Sequence, residues 1–499
     1  MIRETFQAII DGNDIRQNLI SLKEELREDR KSDTHNREAA LYYLNGDYSI
    51  FHTLLENEDP KVRKNTAIIL GELAVPEFMD LLYDAYVKEQ TMFAKTAYLK
   101  ALEEFDCRKY VDAFKERIKT LSEIKVTEEN KKHIGEEMRA LSNLVLMMEG
   151  NKAHKFTGYT VPSEVVLVTN RNHIHVTTDQ LENMPKKEFA AGVMVKTTDL
   201  LDVLNIRTYS ELLFAVDGMK VLPNDVDQAA AAIANGKFLD FLVKRHEGGA
   251  PFYFRLEVKS KNMDLSRRST FAKRLGNEIE RLSKRTLINS VNNYEVEIRL
   301  IENKDANFNV LVKLFTLKDD RFAYRKESIA ASIQPVNAAL AMELARPYIK
   351  ENSQVLDPFC GVGTMLMERN RIQKGKTMYG LDIFGEAIAK ARKNADAAHA
   401  VINYINRDFF DFTHEYLFDE IVTNMPFKNG GREDKELFTL YQNFFLKAKK
   451  HLKEDGIIIM YSHNRDYVKK LCTRPYKIEK EFEISMREGT YLFVIRYMG

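Results

Sequence analysis

The stretch that decides the fold is VLDPFCGVGTMLMER, Val355 to Arg369. An apolar run ends on Asp357, Gly361 and Gly363 open a tight turn, and helical spacing begins near Thr364. A strand, a glycine loop and a helix in that order form the cradle in which α/β sheets hold nucleotide-like ligands. The two glycines let backbone approach a ligand with no Cβ in the way. Cys360 lies inside the loop with no base nearby in the sequence, which reads as packing rather than reactivity.

Three further strand ends follow downstream. MYGLDI ends in Asp382, nineteen residues after Gly363, with Ile383 next to it, where an acid can take ribose hydroxyls. YINRDFFDF offers Asp408 to an adenine amino group, with Phe409 beside the ring. EIVTNMPF delivers Asn424, Met425, Pro426 and Phe427 to the same carboxyl edge, where open α/β sheets bind their ligands. The pattern predicts an α/β Rossmann-like domain over 324–499. Its cofactor-binding candidates are Asp357, Phe359, Gly361, Gly363, Thr364, Asp382, Ile383, Asp408, Phe409 and Asn424; its catalytic candidates are Asn424, Pro426 and Phe427. SIQPVNAALAMELA, Ser332 to Ala345, reads as an amphipathic helix preceding the loop, and His451 and His463 read as structural.

Upstream, VVLVTN, AGVMVKT and ELLFAV are β-rich segments alternating with helical ones, which predicts an α+β module over 160–248. A second module over 250–322 is predicted from PFYFRLEVKS, the helix STFAKRLGNEIERLSKR, and the strands YEVEIRLIE and FNVLVKLFTL. Between Arg255 and Arg285 ten Lys or Arg face four Asp or Glu, so the chain's formal net charge of +1 conceals a basic segment. Lys259, Lys261, Arg267, Arg268, Lys273 and Arg274 are its phosphate-contact candidates, with Arg267 and Arg268 read as lying in a loop before the helix.

Residues 1–150 read as helices with a weak internal repeat. DPKVRKNTAIILGEL carries Val62, Ala67, Ile69, Leu70 and Leu73 at helical spacing, and FAKTAYLKALEEF repeats the pattern about thirty residues later. This period and its DPxVR opening resemble HEAT repeats. At 499 residues several domains are expected. No apolar run reaches the ~18 to 20 residues that span a bilayer, and the N-terminus lacks the order of a secretion signal. Three dispersed cysteines indicate neither a disulfide framework nor a zinc site, and they fit a reducing cytoplasm.

DPFCGVGT followed by NMPF resembles the S-adenosylmethionine-dependent methyltransferases that act on exocyclic amino groups of bases through an [ND]-x-P-[FY] motif. The sequence from FRLEVKSK through NSVNNYEVEIRLIE to KESIAASIQP is similar to a THUMP domain running into such an enzyme. The likeness covers Glu164 to Gly499 and points to the THUMP-domain tRNA guanine-N(2) methyltransferase family. It implies a seven-stranded Rossmann-like sheet, S-adenosyl-L-methionine as cofactor, and a THUMP module with a small ferredoxin-like partner that grips the 3′ end of tRNA. In that family the amino group's two protons would be accepted by the Asn424 side chain and a backbone carbonyl near Met425 or Pro426, while Phe427 stacks on the base. Ser332 and Gln334 would border the cofactor pocket, and no metal takes part. Many relatives have a second proline where Met425 stands and a glycine directly after the aromatic, where this chain has Lys428, Asn429, Gly430 and Gly431. The expected partner is RNA, tRNA in particular, with a protein partner for the HEAT-like region. A ribosomal RNA guanine, an adenine 6-amino group in RNA or DNA, and a non-catalytic RNA-binding or assembly role are the alternatives.

Overall fold

The computed structural model describes residues 2–29, 34–124, 127, 129–150, 154–427 and 434–499. The chain divides into two compact units, Met1–Ala153 and His154–Gly499. Lys428, Asn429, Gly430 and Gly431 lie outside the described residues.

The first unit is helical. Asp59 caps the helix Pro60–Leu73 by accepting from the Lys61 N–H at 2.8 Å, with Pro60 in the first turn, where its missing donor costs nothing. Helices Ile15–Glu28, Pro60–Leu73, Met92–Leu102 and Lys131–Glu149 pack one on the next in series. Their approach is close: a Cβ on Gly71 would lie 2.8 Å from the Ala101 Cα.

The second unit holds two large sheets. The segments expected as two modules share a single nine-stranded sheet. Ser163–Thr169, Gly192–Thr197 and Tyr209–Ala215 are antiparallel neighbours, and Phe252–Lys259 runs parallel to Val296–Glu302, which pairs antiparallel with Phe308–Leu314. The two halves join where Phe308–Leu314 meets Tyr209–Ala215, at Val312 opposite Phe214. A helix over Leu265–Leu282 crosses between the parallel strands and buries Leu275 and Ile279 in the sheet's core.

That helix starts earlier than its spacing suggested. Asp264 accepts from the Arg267 N–H at 2.8 Å and sets the N-terminus, so Arg267 and Arg268 stand in the first helical turn and not in a preceding loop.

The seven-stranded sheet comprises, in chain order, β1 (Gln354–Asp357), β2 (Thr377–Asp382), β3 (Asn403–Asn406), β4 (Phe418–Asn424), β5 (Leu452–Ser462), β6 (Tyr476–Ser485) and β7 (Thr490–Tyr497). Its spatial order is 3-2-1-4-5-7-6, with the first five parallel and β7 antiparallel to both neighbours. Strand order reverses between β1 and β4, which opens a crevice at their carboxyl ends. The helix over Pro335–Ala345 is buried on nearly every side, including Ala338, Leu340, Ala341, Met342 and Leu344, so it is a core helix and not the amphipathic one its sequence suggested. Among the described residues no helix is long and apolar enough to cross a membrane.

Candidate cofactor and catalytic site

The carboxyl ends of β1, β2, β3 and β4 converge on one cavity of about 440 Å³, within the roughly 300–1,000 Å³ of small-molecule sites. Asp357, Phe359, Gly361, Thr364, Asp382, Ile383, Asp408, Phe409, Asn424, Pro426 and Phe427 all line it. Gly363 does not; it is the N-cap of the helix Thr364–Ile372, at φ +83°, with the Tyr404 ring filling the space a side chain would need.

The glycine loop is held by hydrogen bonds that leave its inner face open. The Gly361 N–H donates to Asp382 Oδ2 at 3.0 Å and the Phe384 N–H to Oδ1 at 2.9 Å, which ties the ends of β1 and β2 together. Each carboxylate oxygen retains a lone pair for a further donor. Asn406 Nδ2 donates to the carbonyls of Asp382 and Ile383, both at 2.9 Å, and fixes that turn from beneath. A Cβ on Gly361 would approach only Ile329, at 3.9 Å, so the backbone there is free to meet a ligand. Asp408 accepts from the Phe410 N–H at 2.9 Å and starts the short turn Phe409–Asp411, which sets the Phe409 ring edge-on to Phe359, 6.0 Å between centroids.

Asp357 is fully buried and its carboxyl is pushed up to about 8 by that burial, despite the Phe359 N–H donating to Oδ1 at 3.1 Å. Burial also drives the Cys360 thiol well above its ordinary range, which agrees with a packing role.

β4 ends on Asn424, and the Met425 N–H continues the ladder to the Tyr461 carbonyl at 2.9 Å. Met425 is thereby buried in the core, and it borders the cavity together with Asn424, Pro426 and Phe427. Among the described residues Asn424 Oδ1 is buried with no hydrogen-bond partner, and Thr364 Oγ1 is in the same condition. Buried acceptors of this kind are rare and call for a ligand or another explanation.

Sequence reasoning missed several walls of the cavity. Phe384 and Phe410 each stand two residues after a strand-end acid, a spacing that could have revealed them. Ile329 and Ile333 flank Ser332 in the segment expected at the pocket's border but were not themselves singled out, and Leu440 comes from a segment without any motif. Ser332 borders the cavity, and its hydroxyl accepts from the Ile329 N–H at 3.1 Å; Gln334 is exposed and lies off the lining.

The basic candidates stand apart from the cavity. Lys259 and Lys261 are at and just beyond the end of the strand Phe252–Lys259, and Lys261, Arg267, Lys273 and Arg274 are exposed. Arg268 is half-buried, with Nε donating to the Asp264 carbonyl at 3.4 Å. Three other cations of the segment serve the fold: Arg255 pairs with Glu297, Arg281 with Glu278 and Arg285 with Glu280.

The glycine turn, the strand-end acids and the orphaned buried oxygens fit a cofactor carrying a ribose, an adenine and a donor-rich tail. Residues 323–491 match the UPF0020 family model, an RMKL-like methyltransferase domain. The chain is 25% identical over 147 residues to a tRNA (guanine(10)-N2)-dimethyltransferase from Methanothermobacter thermautotrophicus, a match covering 28% of this chain and 42% of that protein. It is 27% identical over 121 residues to a ribosomal protein L11 methyltransferase from Dictyoglomus turgidum, covering 24% and 36%. The chain thus spans less than half the length of these curated relatives. The crystal structure of TrmN from Thermus thermophilus has a similar fold, with TM-score 0.51 and 17% identity over 67% of this chain and 99% of that one. The carboxyl-edge cavity lies within the residues that match the RMKL-like methyltransferase model, and its cofactor is S-adenosyl-L-methionine.

Proposed function

We propose that this protein methylates the exocyclic 2-amino group of a guanosine in tRNA. The observation that carries the reading is the Asn424 side-chain oxygen, buried and unbonded at the cavity's edge and ready for an amino group that approaches the cofactor. When bound, S-adenosylmethionine supplies a methyl group on a positively charged sulfur. In this reading Asp382 takes the ribose hydroxyls, Asp408 the adenine amino group, and Phe359, Ile383 and Phe409 flank the ring. Gly361, Gly363 and Thr364 shape the loop against the cofactor's tail.

An exocyclic amino nitrogen is a poor nucleophile because its lone pair is delocalised into the ring. Acceptance of its two protons by Asn424 Oδ1 and a carbonyl of the Met425–Pro426 turn draws the nitrogen toward tetrahedral geometry and directs the lone pair at the methyl carbon. With the cofactor bound, the nitrogen would take the methyl group as the methyl–sulfur bond breaks with its electron pair kept by sulfur, and one amino proton would pass to solvent. Phe427 offsets part of the few kcal/mol needed to unstack the base, with stacking worth about 1–3 kcal/mol. Alignment and preorganised dipoles supply the remaining acceleration.

Two observations favour tRNA. The tRNA (guanine(10)-N2)-dimethyltransferase is among the curated relatives, and the strand end at Lys259, the following Lys261 and the helix Leu265–Leu282, with Arg267, Lys273 and Arg274, present cations to solvent beside the half-buried Arg268. We read 160–248 as ferredoxin-like and 250–322 as THUMP-like, together gripping the acceptor end. Residues 1–150, with helices stacked in series, are read as HEAT-like and suited to a protein partner. The reading places the protein in the cytoplasm. Nucleoside mass spectrometry of tRNA and ribosomal RNA from a deletion strain tests it. Loss of a 2-methylguanosine species from tRNA alone is expected, and an unchanged tRNA profile overturns the reading.

A further inference from the structure

We infer that His463 is a substrate-positioning residue that backs the Phe427 ring and fixes which of its faces receives the target base. The inference rests on the proposed amino-group methylation. It concerns a histidine that the sequence marks only as a structural residue at a strand's end.

The backbone itself brings the two rings together. β4 and β5 are parallel neighbours, Asn424 stands opposite Tyr461, and the Met425 N–H donates to the Tyr461 carbonyl. The chain leaving β4 and the chain leaving β5 therefore emerge side by side at the carboxyl edge. His463 is the first residue beyond β5, and its ring lies 4.4 Å from Phe427 with 32° between the planes. Phe427 also borders the cavity. Among the described residues the imidazole is the ring that meets Phe427, and the side turned away from it is the one we assign to a flat ligand.

The imidazole is itself fixed. Its Nδ1 is 3.3 Å from the Glu488 carbonyl, in the turn joining β6 to β7, and the Tyr461 ring meets it edge-on at 6.2 Å. β7 begins at Thr490, beside the end of β5, where Ser462 pairs with Tyr491. The β6–β7 turn thus sits at the same edge as the cavity, with Met486 78% exposed at its start. His463 bridges this turn to Phe427 and restricts the orientation of its ring.

This arrangement acts only once a base has left its stack, because no base meets Phe427 before then. Phosphate contacts carry most nucleic-acid affinity, so the loss of His463 should appear in the transfer step and not in RNA binding. A residue that merely held the fold would instead lower cofactor binding and thermal stability together.

The test uses the full chain, undermodified tRNA from a strain lacking the gene, and radiolabelled S-adenosylmethionine. Single-turnover transfer is measured for wild type, His463→Ala and His463→Phe, with tRNA binding and calorimetric cofactor binding alongside. His463→Ala is expected to slow transfer about tenfold while both affinities stay within about twofold, and His463→Phe to recover most of the rate by restoring a flat backing. Wild-type transfer with an unaffected His463→Ala overturns the inference alone. Two equally inactive variants that also lose cofactor binding do the same, since they report a structural role. Absence of transfer by the wild-type protein to any RNA overturns the proposed function, and the inference with it.

Discussion

Asn424 ends β4 with its side-chain oxygen buried and unbonded, an arrangement that costs roughly 1–3 kcal/mol until a donor arrives. In the proposed reaction, replacing it with alanine removes the acceptor assigned to the reacting amino group, and loss of one such preorganised group costs about 10²–10³ in rate. Asn424→Ala should therefore reduce single-turnover transfer by at least that factor while calorimetric cofactor affinity changes little; retained transfer contradicts the assigned role. Asp357 offers a different test. Burial pushes its carboxyl up to about 8, so at pH 7 it is mostly protonated before a ligand enters. A positively charged sulfur bound in the cavity that Asp357 lines would favour the carboxylate, lowering the pKa and expelling a proton. Binding of S-adenosylmethionine at pH 7 should then release more protons than binding of S-adenosylhomocysteine, whose sulfur is neutral. Calorimetry in buffers of different ionisation enthalpy measures the difference, and Asp357→Asn should abolish it. Equal release by both ligands rules out coupling between this carboxyl and the sulfonium.

The element that carries the site is the β1–loop–helix unit, and Gly363 is its tightest point. At φ +83° an L side chain is strained, and a Cβ there would lie 2.1 Å from the Tyr404 hydroxyl. Gly363→Ala must displace the Tyr404 ring or the loop, at a cost of about 1–3 kcal/mol. A thermal midpoint several degrees lower, with weakened cofactor binding, is the expected result; an unchanged midpoint shows that the loop yields easily. The elements of the site were legible because its chemistry sits at strand ends, where Asp357, Asp382 and Asn424 close apolar or β-branched runs and Asp408 follows one by two residues. Side chains recruited for shape alone left no such mark, as with Leu440 from the helix Asp434–Ala448. Two helices were misread for opposite reasons. Pro335–Ala345 has small residues on its polar-looking side that tertiary packing buries, and Leu265–Leu282 begins at an aspartate cap placed ahead of its apolar stripe. The shared nine-stranded sheet was invisible because its halves meet through a long-range pairing, Val312 with Phe214, that no local pattern encodes.

Across the second unit, the sheet that presents the cations and the sheet that holds the cavity are joined by defined contacts. Asn170 Nδ2 donates to the Ile484 carbonyl at 2.8 Å, and His173 Nε2 is 2.9 Å from the Glu483 carbonyl. The strongest link is Arg207, which grips Glu368 through Nε at 2.9 Å and Nη2 at 2.6 Å while lying on the Phe322 ring. Glu368 belongs to the helix that follows the glycine loop, is 1% exposed, and also accepts from the Tyr324 hydroxyl at 2.6 Å. If the exposed cations meet phosphates, Lys273→Ala with Arg274→Ala should lower the slope of log affinity for tRNA against log salt by about two, one per contact, at any RNA sequence. Filter binding across a salt series reads this directly, and an unchanged slope removes both residues from the interface. The Arg207 link makes the spacing between that interface and the cavity a built-in length. Removing one partner of a buried pair strands the other, at about 3–5 kcal/mol, whereas removing both with apolar residues is often nearly neutral. Arg207→Leu should therefore lower the urea midpoint of the second unit sharply, and adding Glu368→Leu should restore much of it. If the double variant regains stability yet still misplaces or slows methylation of tRNA while cofactor binding is normal, the pair's contribution is geometric. A double variant no more stable than the single one shows that Glu368 is satisfied without Arg207, and the link is then not what holds the two sheets in register.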